Sequence, residues 1–218
     1  MDLLQFKKVF YVRENKDIIK NFSLSVESGD FISIVGASGS GKSTFLKLCC
    51  HLISPTDGEI MYNGRNMLEY NPMLLRKEIS YCFQIPHLFG DTVEDNLNFP
   101  YFIRSMKMDF ERVNELLLRF NLDKRILKEE VKNLSGGEKQ RIALIRTLLF
   151  KPEMILLDEV TSALDVDNTQ IVESVINSLN KEGTTVLWIT HSPEQSRRYA
   201  NKLLTVDCGE IKSLEAII

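Results

Sequence analysis

No stretch of this chain comes near the ~18 uninterrupted apolar residues that a membrane span requires. The N-terminal "MDLLQFKKVFYV" lacks a basic region followed by an apolar run, so no secretory signal is expected. A basic excess is missing too. The net charge is −3 and the pI about 5.7, which leaves no electrostatic footprint for nucleic acid. The pairs "KK" at 7–8 and "RR" at 197–198 are too short to be patches and read as solvated face. Cysteine is sparse: four residues at 49, 50, 82 and 208, with no CxxC pair and no ligand spacing to the histidines at 51, 87 and 191. That pattern disfavours a metal site or a disulfide framework and suits reduced thiols in a cytosolic protein, Cys49 acting as a small apolar group. Internal repeats, low-complexity tracts and flexible linkers are also lacking.

What is present is an ordinary globular composition, 44% hydrophobic and 26% charged. At 218 residues it suffices for one large domain, or one core with an inserted lobe. "FKKVFYV" and "FSLSV" alternate loosely before the "ESGD" turn and read as an antiparallel edge sheet. "FISIV" (31–35), "EMILLD" (153–158) and "TTVLWIT" (184–190) are short, apolar and followed by loop and helical pattern. Strands buried on both faces look like this, which predicts an α/β fold with a mostly parallel sheet. Ligands of such sheets bind beyond the carboxyl ends of the strands. Between about Gln84 and Phe150 strand signal fades. "FERVNELLLRF" places Phe110, Val113, Leu116, Leu117 and Phe120 on one helical face, and 134–150 does the same with Ile142, Ile145, Leu148 and Leu149. The expected organisation is a single domain, with 1–84 and 151–218 as the core lobe and 85–150 as an inserted α-helical lobe.

Phosphate chemistry enters at "GASGSGKST": Gly36, Ala37, Ser38, Gly39, Ser40, Gly41, Lys42, Ser43 and Thr44. It fits G-x-x-x-x-G-K-[ST] between a predicted strand and a helix whose inward face is Phe45, Leu48, Cys49 and Leu52. The glycines let backbone amides surround a β-phosphate, Lys42 neutralises β/γ charge, and the Ser43 hydroxyl can ligate Mg²⁺. Average residue usage yields such a match by accident in roughly one chain of this size in a hundred. The bland alternative is a glycine-rich turn with a surface lysine. "MILLDE" supplies the complement: Asp158 can hold Mg²⁺ through water, and Glu159 can orient and deprotonate an attacking water. Nucleotide hydrolysis is the chemistry these residues point to. A second anion grip follows at "LSGGEKQRIALIRTLLF", where Ser135, Gly136 and Gly137 open a helix whose first amides lack partners.

"GASGSGKST", "LSGGEKQR", "ILLDE", "TSALD" and "WITH", in this order, resemble the nucleotide-binding subunit of ATP-binding cassette (ABC) proteins over essentially the whole chain. That resemblance implies a P-loop ATPase fold with an N-terminal antiparallel β subdomain. It also implies ATP and Mg²⁺ as ligands and two copies bound head to tail. Ser135, Gly136 and Gly137 would then grip the γ-phosphate of the partner's ATP, and Asp165 of "SALD" would cross the dimer interface. Gln84 would sense Mg²⁺ and the attacking water, and His191 would contact the γ-phosphate. Without the resemblance, Gln84 reads as a loop amide and His191 equally as a helix cap in "THSPE". The adenine-stacking aromatic of the family is displaced: Arg13 stands at its usual place, and Tyr11 lies two residues earlier on the same strand face. Either residue, or loose base recognition, remains open at this point.

"LISPTDGEI" and the stretch from "SYCFQ" to "FPYFIR" are further similar to ATPase subunits of bacterial iron-export ABC transporters. This implies a separate multi-span permease as partner and a peripheral location on the cytoplasmic face of the membrane. Two other readings compete: an ABC ATPase without cargo, of which the iron–sulfur cluster assembly type fits the single short cassette, and a silent interaction module. Lys42, Glu159 and His191 argue against the last.

Overall fold

Two residues with left-handed backbone, Glu14 (φ 50°) and Asn15 (φ 59°), turn the first hairpin. That conformation matches the twist of the strands it joins. These are β1 (Asp2–Arg13) and β2 (Lys16–Glu27), antiparallel with Tyr11 opposite Ile19 and Arg13 opposite Lys16. A computed structural model describes residues 2–217. Along the chain follow β3 (Phe31–Val35), α1 (Lys42–Cys49), β4 (Asp57–Tyr62), β5 (Arg65–Asn66), α2 (Pro72–Glu78) and β6 (Ile79–Cys82). Next come α3 (Val93–Phe102), α4 (Phe110–Arg119), α5 (Gly136–Leu148), β7 (Met154–Asp158) and α6 (Val166–Lys181). The chain continues through β8 (Thr185–Ile189), α7 (Pro193–Arg198), β9 (Lys202–Asp207) and β10 (Glu210–Ala216). The α/β class expected from the sequence is the one observed.

The residues form two compact units. The first takes everything up to Tyr81, then Pro152–Glu159 and the chain from Leu179 on. It holds a four-stranded sheet ordered β2-β1-β4-β5 and a six-stranded sheet ordered β10-β9-β3-β8-β7-β6. β8 lies between β3 and β7 and runs parallel to both, with Ile189 opposite both Ile34 and Asp158. Three strand ends therefore finish side by side at one edge. Helix α1 supplies the core beneath them: Phe45 packs on Phe6 and Phe22 at ring separations of 5.0 and 5.3 Å. Leu46, Leu48 and Cys49 are fully buried around it. Each such side chain contributes roughly 1.5–3 kcal/mol by leaving water.

The second unit comprises Cys82–Lys151 and Val160–Ser178. The sequence places 160–178 in the core lobe; here they cluster with the helices. Among the described residues 85–150 form no named strand. In α4, Val113, Leu116 and Leu117 are buried, as is Phe120 just after it, and in and after α5 so are Ile142, Ile145, Leu148 and Leu149. A buried polar knot binds this unit. Fully buried Asn96 accepts from the Phe89 amide and donates to the carbonyls of Phe89 and Thr92. Arg146 of α5 donates to Asn96 and to the His87 carbonyl, and its guanidinium lies over the Phe89 ring.

Two expectations fail at helix ends. Leu52 is 41% exposed, because α1 stops at Cys49 and the chain reverses through left-handed His51 (φ 52°). Phe110 is 53% exposed: it is the first residue after the Asp109 cap, ahead of the turns that pack.

Candidate nucleotide site

In the first unit the loop between β3 and α1 is built against its neighbours. Gly36 has φ 148°, and a Cβ there would stand 2.0 Å from the Val206 carbonyl oxygen. At Gly41 (φ 103°) it would stand 2.9 Å from the Ile18 carbonyl oxygen. Only glycine allows both close approaches. Lys42 folds back so that its ammonium donates to the carbonyls of Gly36 and Ala37 at 2.9 and 2.8 Å. Burial pulls the Lys42 pKa below the usual ammonium value, while Glu159 and Asp158 pull it the other way. An anion in the loop would relieve that burial cost. The buried Ser40 hydroxyl has no hydrogen-bond partner among the described residues. It lies within the loop, 3.0 Å from where a Gly36 Cβ would be.

At the end of β7 the nearly buried Asp158 carboxylate receives two hydroxyls. Ser43 donates to one oxygen at 2.9 Å and Tyr81 to the other at 2.5 Å. Glu159 follows in left-handed backbone (φ 50°), its amide donating to the Ile189 carbonyl at 3.2 Å. Its Oε1 meets His191 Nε2 at 2.7 Å. The helix-cap duty in "THSPE" falls to Ser192, whose hydroxyl accepts from the Gln195 amide. His191 is left half-exposed beside Glu159. Lys42, Ser43, Asp158, Glu159 and His191 are thus assembled from the ends of β3, β7 and β8. Together they can hold an anion, engage a hard cation through oxygen, and take a proton from water.

On the first hairpin, Tyr11 packs against the core and lies across from Ile19, whose side chain would stand 3.0 Å from a Cβ on Gly41. Arg13 lies at the hairpin tip, exposed and 3.5 Å from Glu14.

Gln84, Ser135, Gly136, Gly137 and Asp165 all belong to the second unit. Gln84 is exposed, two residues beyond β6. Ser135 caps α5 in a reciprocal box. Its amide and hydroxyl donate to the Glu138 carboxylate at 2.8 and 2.7 Å, and the Glu138 amide donates back at 3.2 Å. Those bonds hold the Glu138 carboxyl below its usual pKa. The amides of Gly136 and Gly137 stand in the first turn, where no intrahelical acceptor exists. Asp165 caps α6 by accepting from the backbone and side-chain amides of Asn168 at 2.8 and 2.7 Å, bonds that lower its pKa. Arg141 in turn donates to Asn168, and a Cβ on Gly137 would meet the Asn168 amide nitrogen at 3.3 Å. Helix α5 and Asp165 are therefore tied through Asn168.

Sequence reasoning passed over Asn168 and Tyr81. The D-x-x-N spacing at a helix start could have flagged Asn168 as part of a cap. A tyrosine in the apolar strand "ISYC" carries no signal beyond packing.

A family description, ABC transporter, matches residues 19–162. The chain is 43% identical over 213 residues to "Probable iron export ATP-binding protein FetA" of Escherichia coli, covering 96% of this chain and 94% of that protein. It is 39% identical over 184 residues to the lipoprotein-releasing system ATP-binding protein LolD of Buchnera aphidicola, covering 81% and 80%. Among solved structures it is similar to the dimeric post-hydrolysis state of the ATP-binding cassette MJ0796 bound to ADP and Pi. That match has a TM-score of 0.88 and 30% identity, and covers 99% of both chains.

Proposed function

Because this chain belongs to the ABC transporter family and is one of its ATPases, we propose that it is a paired motor for a separate membrane permease. The observation that carries this reading is the assembly of Lys42, Ser43, Asp158, Glu159 and His191 at neighbouring strand ends. Among the described residues, no helix is long and apolar enough to cross a membrane. The site would act from the cytoplasmic face through its partner.

The residues suit a triphosphate: a loop that only glycine can form, a lysine curled onto the carbonyls of Gly36 and Ala37, and a buried serine hydroxyl without a hydrogen-bond partner among the described residues. They also suit Mg²⁺, which prefers oxygen ligands and keeps several waters, so Ser43 with Asp158 is a sufficient protein share. Held by Ser43 and Asp158, Mg²⁺ would supply Lewis-acid charge to the phosphate. Lys42 neutralises the same oxygens. Glu159 takes the proton of the attacking water as its oxygen bonds to the γ-phosphorus, and the bond to the bridging oxygen breaks to leave ADP and phosphate. His191, set beside Glu159, contacts the γ-phosphate. Gln84 would sense Mg²⁺ and the attacking water. Tyr11, set across from the strand that abuts the loop, stacks on adenine in preference to Arg13.

Two copies would close head to tail over two ATP, with Ser135, Gly136 and Gly137 of each gripping the partner's γ-phosphate and Asp165 lying at that interface. The dimeric cassette of similar fold supports this arrangement. Iron export is the cargo reading favoured by the protein 43% identical over nearly the whole chain. The test is capture of the tagged chain from detergent-solubilised cells, followed by reconstitution with what is captured. A multi-span membrane protein, with ATP-dependent ferrous iron movement in vesicles, supports the proposal. A soluble partner alone overturns transport.

A further inference from the structure

The Asp158 carboxylate is nearly buried, and it ends the strand beside β6, which carries Tyr81. Its two oxygens are not equivalent. One faces the Ser43 hydroxyl at 2.9 Å, the side on which the P-loop begins its helix; the other accepts the Tyr81 hydroxyl at 2.5 Å. The Tyr81 ring packs against the hydrophobic core, so a phenylalanine would fill the same space. What the hydroxyl adds is a directed donor. Phenol is neutral, and unlike a lysine or arginine it fixes the carboxylate without cancelling the charge that a divalent cation needs. Partners of this kind, bonded to the far side of a ligating group, orient it and tune its affinity.

We propose that Tyr81 is a positioning residue for the metal: its hydroxyl holds Asp158 so that the opposite oxygen and Ser43 present a ready pair of oxygens to Mg²⁺. The inference rests on the reading of Asp158 and Ser43 as the Mg²⁺ pair, and adds a residue on a second strand to it. Tyr81 also precedes Gln84 by three residues, so the same strand that locks the metal carboxylate leads directly into the loop carrying that glutamine.

The experiment compares full-length wild type with Tyr81→Phe, which keeps the ring. Binding of a fluorescent ATP analogue is measured in EDTA and then across a Mg²⁺ titration, with hydrolysis not used as the readout. In wild type, Mg²⁺ tightens nucleotide binding. In Y81F the metal-free affinity stays within about twofold, while half-maximal tightening needs about tenfold more Mg²⁺, the usual effect of removing an outer partner of a metal ligand. Melting of both proteins in EDTA checks that the ring still packs. A Mg²⁺ dependence in Y81F equal to that of wild type overturns the role of Tyr81 and leaves the metal pair standing. If wild-type binding ignores Mg²⁺ altogether, the metal pair itself is wrong and the proposal falls with it.

Discussion

At the residue scale, the chemistry of the loop at 36–44 demands glycines, a lysine and a hydroxyl at a set spacing. The structure adds why two of those glycines cannot change: carbonyl oxygens of β9 and β2 already occupy the space a side chain would need. His191 was ambiguous in one dimension, since "THSPE" can cap a helix through more than one residue. Only the three-dimensional bond to Glu159 separates it from Ser192. Tyr81 was illegible because a strand tyrosine looks like packing whether or not its hydroxyl has a task. Lys42→Ala should weaken ATP binding by roughly 10–100-fold, the value of a hydrogen bond to a charged group, measured by equilibrium binding of a fluorescent nucleotide. The thiols make a second prediction. Burial pushes Cys50 and Cys82 up to about 11 and Cys49 well above its usual value, whereas Cys208 is exposed. A thiol reagent at pH 8 should therefore label Cys208 quickly and the other three only after unfolding. Because these folded pKa values are raised, the stabilisation from neutral buried thiols is complete below the ordinary thiol pKa of about 9. It is lost as pH climbs through about 11, which denaturant midpoints measured from pH 8 to 11 would register.

At the element scale, helices with repeated apolar faces were readable in their middles and misread at their ends. Leu52 and Phe110 keep the period but lie outside the turns that pack, because capping and left-handed reversals, not periodicity, decide where a helix stops. Strands β4, β6, β9 and β10 escaped notice: they are short or half-exposed, and their pairing comes from sequence-distant neighbours. The Asn96–Arg146 knot was equally hidden, since nothing in a run such as "VEDNLNF" marks one asparagine as fully buried. Asn96→Ala would strand the Phe89 amide, two carbonyls and part of a half-buried guanidinium. The expected cost is about 2–4 kcal/mol, or about 5–15 °C in thermal midpoint for a chain of this size. Leu118→Ala, at a side chain 76% exposed on α4, should change the midpoint by no more than about 2 °C.

At the scale of the whole molecule, the chain carries two candidate anion grips, one in each compact unit, and each is chemically incomplete alone. The loop before α1 has charge, hydroxyls and a base. The start of α5 has only open amides and a capped serine. One nucleotide shared between copies would use both; on the proposed reading ATP would bond two chains and its hydrolysis would release them. Substituting Glu159 by glutamine removes the proton acceptor while keeping the fold and the phosphate loop. Hydrolysis should drop about 10²–10⁴-fold, with binding retained. The most direct measurement is the light-scattering mass of E159Q at saturating Mg-ATP. The account predicts a shift from 25.1 kDa to twice that mass, reversed when nucleotide is removed. A variant that demonstrably binds ATP yet stays at 25.1 kDa would contradict it.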